Sequence, residues 1–242
     1  MVKCYKGNQV SSQINAWCMF ESNFEKGDLI EDLNGIIFDV KGLVHPHNHV
    51  VAFPRFIPNI VGDRRRGPAR YSKVYSLSAR YEWLEKNFPQ YLIQDEVFGD
   101  RICEVPINCI EHYYRPIDRL RKLRTYERPD SLERDALELV SFLKESADIA
   151  WNALGISGSI LAKLHKPTSD IDLIVYAQDN CRRLHSVLKS LLSGEGSIVR
   201  PYCEEKELRP LFDFRSKDTK MSFEDFVRIE SRKVFVGEVL QA

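Results

Sequence analysis

The sequence predicts an α+β protein, with a mixed sheet flanked by helices in its second half and a smaller mixed α/β N-terminal domain that contains a β-hairpin. The first observation is that helix-like and strand-like patterns alternate along the chain. The second is a polar, proline-containing stretch near residue 127, which predicts domains at 1–126 and 127–242. The third is size, because 242 residues that are 43% hydrophobic suit one or two compact domains with real cores.

The composition is typical of a soluble protein. No apolar run reaches the roughly eighteen residues that a membrane-spanning helix needs, and the first residues lack the apolar stretch of a secretory signal. We therefore expect a cytoplasmic protein without a membrane partner. The six cysteines form no CxxC pair and no zinc-ligand spacing, which favours scattered core thiols.

The N-terminal half combines strands and helices. Residues 35–57 have the pattern of a β-hairpin, and Pro54 predicts that the second strand lies at a sheet edge. Residues 76–92 then predict a helix that begins after a serine cap and closes before a proline. A strand is expected at 97–106, and one or two short helices at 107–124.

Two basic stretches of this half carry tyrosines. They read DRRRGPARYSK at 63–73 and YYRPIDRLRKLRTYER at 113–128. Arginine and lysine beside aromatic residues suit contacts with phosphates and stacking on bases. A charged loop and a solvated helix face explain the same residues, and the net charge of zero does not require a nucleic-acid partner. Both interpretations stay open, with the second favoured.

The C-terminal half begins with a strongly amphipathic helix. Asp130 followed by Glu133 is the pattern of a capping box, and apolar residues recur on one face of 131–147. A short apolar strand is expected at about 151–156. A second strand, at 170–177, is rich in isoleucine and valine and is expected to be buried beyond its first residues.

The sequence between these strands carries the chemistry. Gly158 would let the backbone approach a phosphate closely, and the helix after Ser159 would offer free N–H groups to an anion. In a strand, Asp170 and Asp172 would share one face while Ile171 points to the core. Two such carboxylates suit a hard divalent cation, and Mg²⁺ binds carboxylates together with substrate phosphates. The pattern predicts one nucleotide site built from two halves.

The pattern GS-(x10)-DIDLIV resembles the signature of the DNA polymerase beta-like nucleotidyltransferase superfamily, and the likeness covers about 60 residues, from 131 to 192. More loosely, the chain is similar to an uncharacterised group of predicted archaeal nucleotidyltransferases. The resemblance implies a nucleotidyltransferase-like mixed sheet. It also implies transfer of a nucleoside monophosphate from an NTP, such as ATP, to an acceptor hydroxyl by a two-metal mechanism.

Carried over by residue, the resemblance makes Gly158 and Ser159 the phosphate-binding turn. Asp170 and Asp172 become ligands of Mg²⁺ or Mn²⁺. Many small members have an arginine in the helix after Gly-Ser, where this chain offers Lys163 and His165. Lys163 and Ser169 are the further residues that we expect to contact the nucleotide.

The superfamily implies a third carboxylate on a later strand, and Asp213 is the candidate metal ligand or general base. If 211–215 is extended, Asp213 points away from the flanking phenylalanines; if it is helical, Asp213 is merely solvated, and both readings stay open. Three weaker substitutes are Glu204, Glu205 and Asp218. A helix is expected at 221–235, and the short C-terminus suggests a site completed by another subunit of a homo-oligomer.

Other functions fit less well. GISGS lacks the lysine of a P-loop, and it has Ser159 where a nucleophile elbow needs glycine, which disfavours a hydrolase that uses Ser157 with His165 or His185. The second hypothesis is a catalytically inactive nucleotidyltransferase-like domain that binds nucleic acid or a protein. For the enzyme, the acceptor is open among RNA, a protein hydroxyl and a small molecule.

Overall fold

The structure, a computed structural model, describes residues 2–5, 24–193, 199–200, 204–216, 220–234 and 238–239. In this part of the chain, helices and two larger sheets form an α+β fold, which confirms the predicted class. The strands are β1 (Val2–Tyr5), β2 (Leu29–Asp32), β3 (Ile37–Val40), β4 (His49–Pro58), β5 (Arg64–Arg66), β6 (Ala69–Lys73), β7 (Leu92–Asp95), β8 (Asp100–Pro106), β9 (Ile110–Tyr114), β10 (Leu154–Ile156), β11 (Leu173–Tyr176), β12 (Val199–Arg200) and β13 (Glu238–Val239). The helices are α1 (Leu77–Asn87), α2 (Pro116–Arg124), α3 (Ser131–Ser146), α4 (Gly158–Leu161), α5 (Gln178–Ser193), α6 (Glu205–Arg215) and α7 (Phe223–Glu230). None of these helices combines the length and the apolar character that a membrane crossing requires.

The larger sheet is antiparallel and curled. Its strands follow the order β5-β6-β4-β3-β2-β9, and β8 pairs with both β4 and β7. Helix α1 covers one face of it through Leu84. The strands supply β-branched and aromatic residues to this core. Its fully buried members include Ile30, Phe38, Val40, Val50 and Val105.

Strand β4 is the second strand of the predicted hairpin, but it lies inside the sheet. On one side it pairs with β3. On the other side its residues 49–51 pair with β8 and its residues 56–58 pair with β6. Pro54 falls between these two segments, where β4 has a ladder partner only on the β3 side, and a residue without an N–H fits there. The hairpin is confirmed, and the edge position is wrong.

Residues 63–73, expected as a charged loop, form the β5–β6 hairpin. Its arginines have partners inside the protein. Arg66 donates to both carboxylate oxygens of Glu31 on β2, and it also contacts the hydroxyl of Tyr71 at 2.7 Å. Long-range pairing of this kind leaves no local sequence pattern.

The first part of the region expected to be helical, at 107–114, ends in strand β9. Its tyrosines reach buried carboxylates of the neighbouring strand region, because Tyr113 bonds to Asp28 and Tyr114 bonds to Glu31. A 3-10 helix occupies Ile107–Cys109, so the helix prediction is wrong only for the residues of β9, and it is correct for the second part, which is α2.

The smaller sheet has the order β1-β11-β10, with β1 parallel and β10 antiparallel to β11. Helices α3 and α5 pack on the face that carries Leu173 and Val175. The capping box of Asp130 and Glu133 is present at the start of α3, as predicted. Strand β10 is shorter than expected, because a 3-10 turn occupies Trp151–Ala153.

The domain boundary at residue 127 stays a prediction. Helix α2 lies before it in the chain and contributes Leu120 and Leu123 to the core of the smaller sheet. Strand β1 also precedes the boundary and pairs with β11.

Residues 211–215 are helical, as part of α6, so the extended alternative for Asp213 is wrong. Glu204 and Glu207 form a capping box at the start of this helix. The ring of Phe212 packs on the rings of Phe223 and Phe226, which both belong to α7. Helix α7 begins at the predicted Ser222 cap, although it ends earlier than residue 235.

Candidate functional site

The Gly-Ser turn lies directly against Asp172. Gly158 begins α4 with a φ of +64°, in the left-handed region that favours glycine. A Cβ atom placed on Gly158 would lie 2.0 Å from Oδ2 of Asp172 and 2.9 Å from its Cγ. The backbones are joined as well, because the N–H of Ser157 donates to the carbonyl of Asp172 at 2.8 Å. Glycine is therefore the residue that allows this carboxylate to approach the turn.

Asp170 and Asp172 lie in the segment that leads into β11. The strand predicted at 170–177 is shorter in the structure, because β11 begins at Leu173, so the alternation expected of a strand does not apply to the two acids. Ile171, between them, still packs against the core of the smaller sheet. Asp170 is exposed and Asp172 is half-buried. Among the residues that the structure describes, neither carboxylate accepts a hydrogen bond or forms an ion pair. Their oxygens are of the type that Mg²⁺ prefers.

Ser169 and Lys163 lie in the loop between the turn and the acids. The hydroxyl of Ser169 accepts a hydrogen bond from the N–H of Lys166 at 2.9 Å, and Nη1 of Arg64 lies 3.4 Å from it. Ser169 thus closes the turn before Asp170. Lys163 has a φ of +56° at the end of α4, and its side chain is exposed. Contacts of either residue with a nucleotide stay predictions.

The larger sheet is fixed to this loop. Arg64 is only 6% exposed, and its guanidinium donates to the carbonyl of Leu164 at 2.6 Å. Phe56 and Tyr71 of the sheet pack with Leu161 and Leu164 in one buried cluster. The sheet therefore forms one side of the candidate site, which the sequence did not reveal.

Lys73, at the end of β6, lies on the sheet face that packs on the loop. In the antiparallel register it is directly opposite Phe56, and it is two residues from Tyr71. Directly opposed residues share a face, as do residues two apart in a strand. All three side chains therefore extend from the same face.

The pKa of Lys73 depends on the charges of Asp170 and Asp172. Burial is the largest cause of a lowered pKa of about 8 for the Lys73 ammonium, and the positive charges of Arg55 and Arg64 lower that pKa further. The charges of Asp170 and Asp172 act in the opposite direction, so both acids lie within electrostatic range of the ammonium. Sequence reasoning missed Lys73, because only the register of β4, β5 and β6 brings it here.

Ser157 is not arranged as a nucleophile. Its hydroxyl is buried and donates to the carbonyl of Gly27. His165 has a different partner, since its Nε2 lies 2.6 Å from Oδ2 of Asp130. The structure gives no support to a hydrolase that uses Ser157 and His165.

A second group of side chains has atoms close enough to hold a metal ion. Ligand atoms of Asp130, Glu133 and His165 all lie within 4.8 Å of one another. Each acid already has a structural role, because both form the capping box of α3 and Glu133 is paired with buried Arg119. A capping box and an ion pair explain this group without a metal.

Asp213 is exposed on α6, a helix that packs on α7. Among the described residues, no hydrogen bond or ion pair joins its side chain to the turn at Gly158. A strand would have directed Asp213 away from its flanking phenylalanines, and α6 does not provide that geometry. Glu204 and Glu205, the weaker substitutes, pair with Lys206 and Arg209 at the start of α6. Asp218 lies outside the described residues.

The basic stretches are partly used inside the protein. Arg64 and Arg66 make the contacts described above, and Arg119 is paired with Glu133 in a buried position. Arg65 remains exposed between the two internal arginines. These stretches are therefore not a continuous free basic surface.

Comparison with known proteins gives one distant relative. The chain is 28% identical over 228 residues to an uncharacterized protein of Methanocaldococcus jannaschii, a match that covers 88% of this chain and 64% of the relative. The chain thus spans just under two thirds of the length of that protein. No protein-family model matches the chain, and no solved structure matches it.

Proposed function

We propose that the protein is a metal-dependent nucleotidyltransferase, which transfers a nucleoside monophosphate from an NTP to an acceptor hydroxyl. The observation that carries this proposal is the contact between the Asp172 carboxylate and Gly158, with Asp170 beside it. Such chemistry requires a turn that binds phosphates and a pair of acids that binds a cation, and the adjacent turn and acids would supply both.

The residues fit a Mg²⁺ or Mn²⁺ ion. Two aspartates separated by one residue supply several carboxylate oxygens, and neither side-chain carboxylate takes part in a described hydrogen bond or ion pair. When bound, the metal would stabilise the negative charge that develops on the phosphates. Asp170 and Asp172 would hold it, and Gly158 would allow the phosphates to approach the backbone closely.

The transfer is a substitution at the α-phosphorus. The acceptor oxygen forms a bond to this phosphorus, the bond between the phosphorus and the bridging oxygen to the β-phosphate breaks, and pyrophosphate leaves. The hydroxyl proton passes to solvent or to a carboxylate. The role of the protein is to hold donor and acceptor in line and to stabilise charge. RNA, a protein or a small molecule would provide the acceptor.

The binding-module alternative has weaker support. It depends on the arginines at 64–66, and two of these three make contacts inside the protein. No specific observation favours it over the enzyme.

Turnover with labelled nucleotides tests the proposal. Purified protein would be incubated with each labelled NTP, with Mg²⁺ or Mn²⁺, and with RNA, protein extract or a small-molecule fraction. We expect metal-dependent transfer of label and release of pyrophosphate. Asp170→Asn and Asp172→Asn should each lower turnover by at least about 100-fold, because each removes a metal-ligand charge while keeping the side-chain shape.

The matched control is Asp179→Asn. Asp179 is also an exposed aspartate, but it lies beyond the other end of β11, at the start of α5. Its variant should retain wild-type turnover. Equal activity of the Asp172 and Asp179 variants would contradict the proposed site, and metal-independent transfer would contradict the proposed mechanism.

A further inference from the structure

We infer that Lys73 of the larger sheet binds the phosphate chain of the nucleotide, opposite Asp170 and Asp172. The ligand is a nucleoside triphosphate, and its identity rests on the proposed function. The polyphosphate contact itself is independent of any transfer reaction. The two sheets would then supply opposite sides of one site.

The register of β4, β5 and β6 determines which side chains share a face with Lys73. Lys73 is opposite Phe56 in β4, and Arg64 is opposite Tyr71 in the β5–β6 hairpin, so these four side chains lie on one face. Phe56 and Tyr71 pack on the segment after the Gly-Ser turn. The same face therefore directs Lys73 toward the site.

Contacts across the junction hold this face in place. Arg64 donates to the carbonyl of Leu164 and approaches the hydroxyl of Ser169, next to Asp170. A second link joins the same regions, because Lys166 and Asp63 form an ion pair. Lys73 is thus presented to the acids by an anchored hairpin, as a binding residue needs.

The charged groups around Lys73 also favour a phosphate ligand. Lys73 and Arg64 are two cationic side chains on one face of the sheet, and the charges of Asp170 and Asp172 act on the Lys73 ammonium. A metal ion held by the acids would add two positive charges. The site would then carry excess positive charge, which a triphosphate complements.

The ammonium of Lys73 is available for this role. Within the described ranges it forms no hydrogen bond or ion pair, and its one recorded contact is with the ring of Tyr75, whose centroid is 4.9 Å away. Lysine is a flexible point charge with three donors, well suited to phosphate oxygens. The acids are near enough to interact with it but do not pair with it.

Calorimetry with inorganic tripolyphosphate, an NTP and the matching NMP, each with Mg²⁺, tests the inference. We expect Lys73→Gln to weaken the binding of tripolyphosphate and NTP about 10- to 100-fold, the usual effect of one charge-assisted hydrogen bond. The NMP lacks the β- and γ-phosphates, so its affinity should not change. A merely structural role would weaken all three.

Arg65→Gln is the matched control. It removes one positive charge from the same hairpin, but Arg65 alternates with Arg64 and is exposed, so it lies on the other face. It should bind like the wild type. Lys73→Arg keeps the charge and should retain most of the affinity, which guards against a folding defect in the glutamine variant.

The outcomes separate the two claims. Tripolyphosphate binding that is absent in the wild type, or equal in Lys73→Gln and the wild type, overturns the role of Lys73. A wild type that binds tripolyphosphate through Lys73 but binds and turns over no NTP overturns the proposed function alone.

Discussion

Two groups of carboxylates in this molecule are treated in opposite ways. Glu31 and Asp32 of β2 are buried and fully engaged, whereas the side-chain carboxylates of Asp170 and Asp172 have no described hydrogen bond or ion pair. Removing an acid from water is costly unless donors replace the water. The first group therefore stabilises the fold, and the second, which keeps its contact with solvent, is free to bind a ligand.

The partners of the β2 acids show how complete their engagement is. One oxygen of Asp32 accepts the N–H groups of Asn34 and Ile36, and the other accepts the hydroxyl of Tyr91 at 3.0 Å. Glu31 is held by the guanidinium of Arg66. Such acids are poor metal ligands, because their lone pairs are already used.

The largest expected change in stability comes from breaking the ion pair between Glu31 and Arg66. Glu31→Gln should lower the free energy of unfolding by about 4 kcal/mol, because it leaves the Arg66 charge without its carboxylate in a largely buried position. Urea titration would measure this change. Asp170→Asn is the contrast and should change stability by less than about 0.5 kcal/mol. Equal losses in both variants would remove the distinction between the two groups.

Asp28 is intermediate between these two groups of acids, because its carboxylate is buried but accepts hydrogen bonds from few donors. Burial is the main cause that raises its pKa to about 7, and the hydrogen bond from Tyr113 offsets part of this shift. The backbone N–H of Glu25 also lowers this pKa, the charge of Glu25 raises it, and the charge of Arg115 lowers it. The unfolded carboxyl titrates near about 3.9.

The sign of the pH effect follows from that shift. The folded state holds the Asp28 proton more tightly, so the contribution to stability is fully present below about pH 4 and is lost as pH rises through 7. Asp28→Asn should remove most of this dependence, on the order of 3 kcal/mol. Urea midpoints between pH 4 and 8 would measure it, and parallel curves for both proteins would contradict the assignment.

A smaller effect is expected at the turn. Gly158→Ala and Gly99→Ala place alanine at nearly the same φ, +64° and +65°, which costs about 1–2 kcal/mol in either case. A Cβ on Gly99 would meet nothing within 4 Å, whereas one on Gly158 would strike the Asp172 carboxylate. We expect Gly158→Ala to lose about 2 kcal/mol more in thermal or urea unfolding.

A double-variant cycle isolates the cause. Adding Asp172→Ala should restore much of the stability lost in Gly158→Ala but none of that lost in Gly99→Ala. Absence of coupling between positions 158 and 172 would show that the carboxylate does not lie on the turn in solution.

Local patterns predicted much of the smaller sheet and its site. The capping box at Asp130, the glycine turn at 158 and a strand after Asp172 are all local features, so the sequence alone predicted them, although β11 begins only at Leu173. The proximity of Asp172 to Gly158 was expected from the order of turn, short helix and strand along the chain.

Long-range pairing explains what was missed. Tyr113 and Tyr114 lie in a strand, and the partners of their hydroxyls, Asp28 and Glu31, are more than eighty residues away in the sequence. Lys73 comes near the candidate site only through the register of β6 with β4. Asp213 is a different case, because the Glu204–Glu207 capping box that starts its helix was present in the sequence.

Calorimetric titration of the wild type and Asp172→Asn with the four NTPs tests the central claim most directly, in Mg²⁺ and in EDTA. We expect that at least one NTP binds the wild type only with Mg²⁺. Asp172→Asn should bind this NTP at least about 10-fold more weakly and unfold at the same urea concentration as the wild type. If no NTP binds the wild type with Mg²⁺ or Mn²⁺, the nucleotide site does not exist.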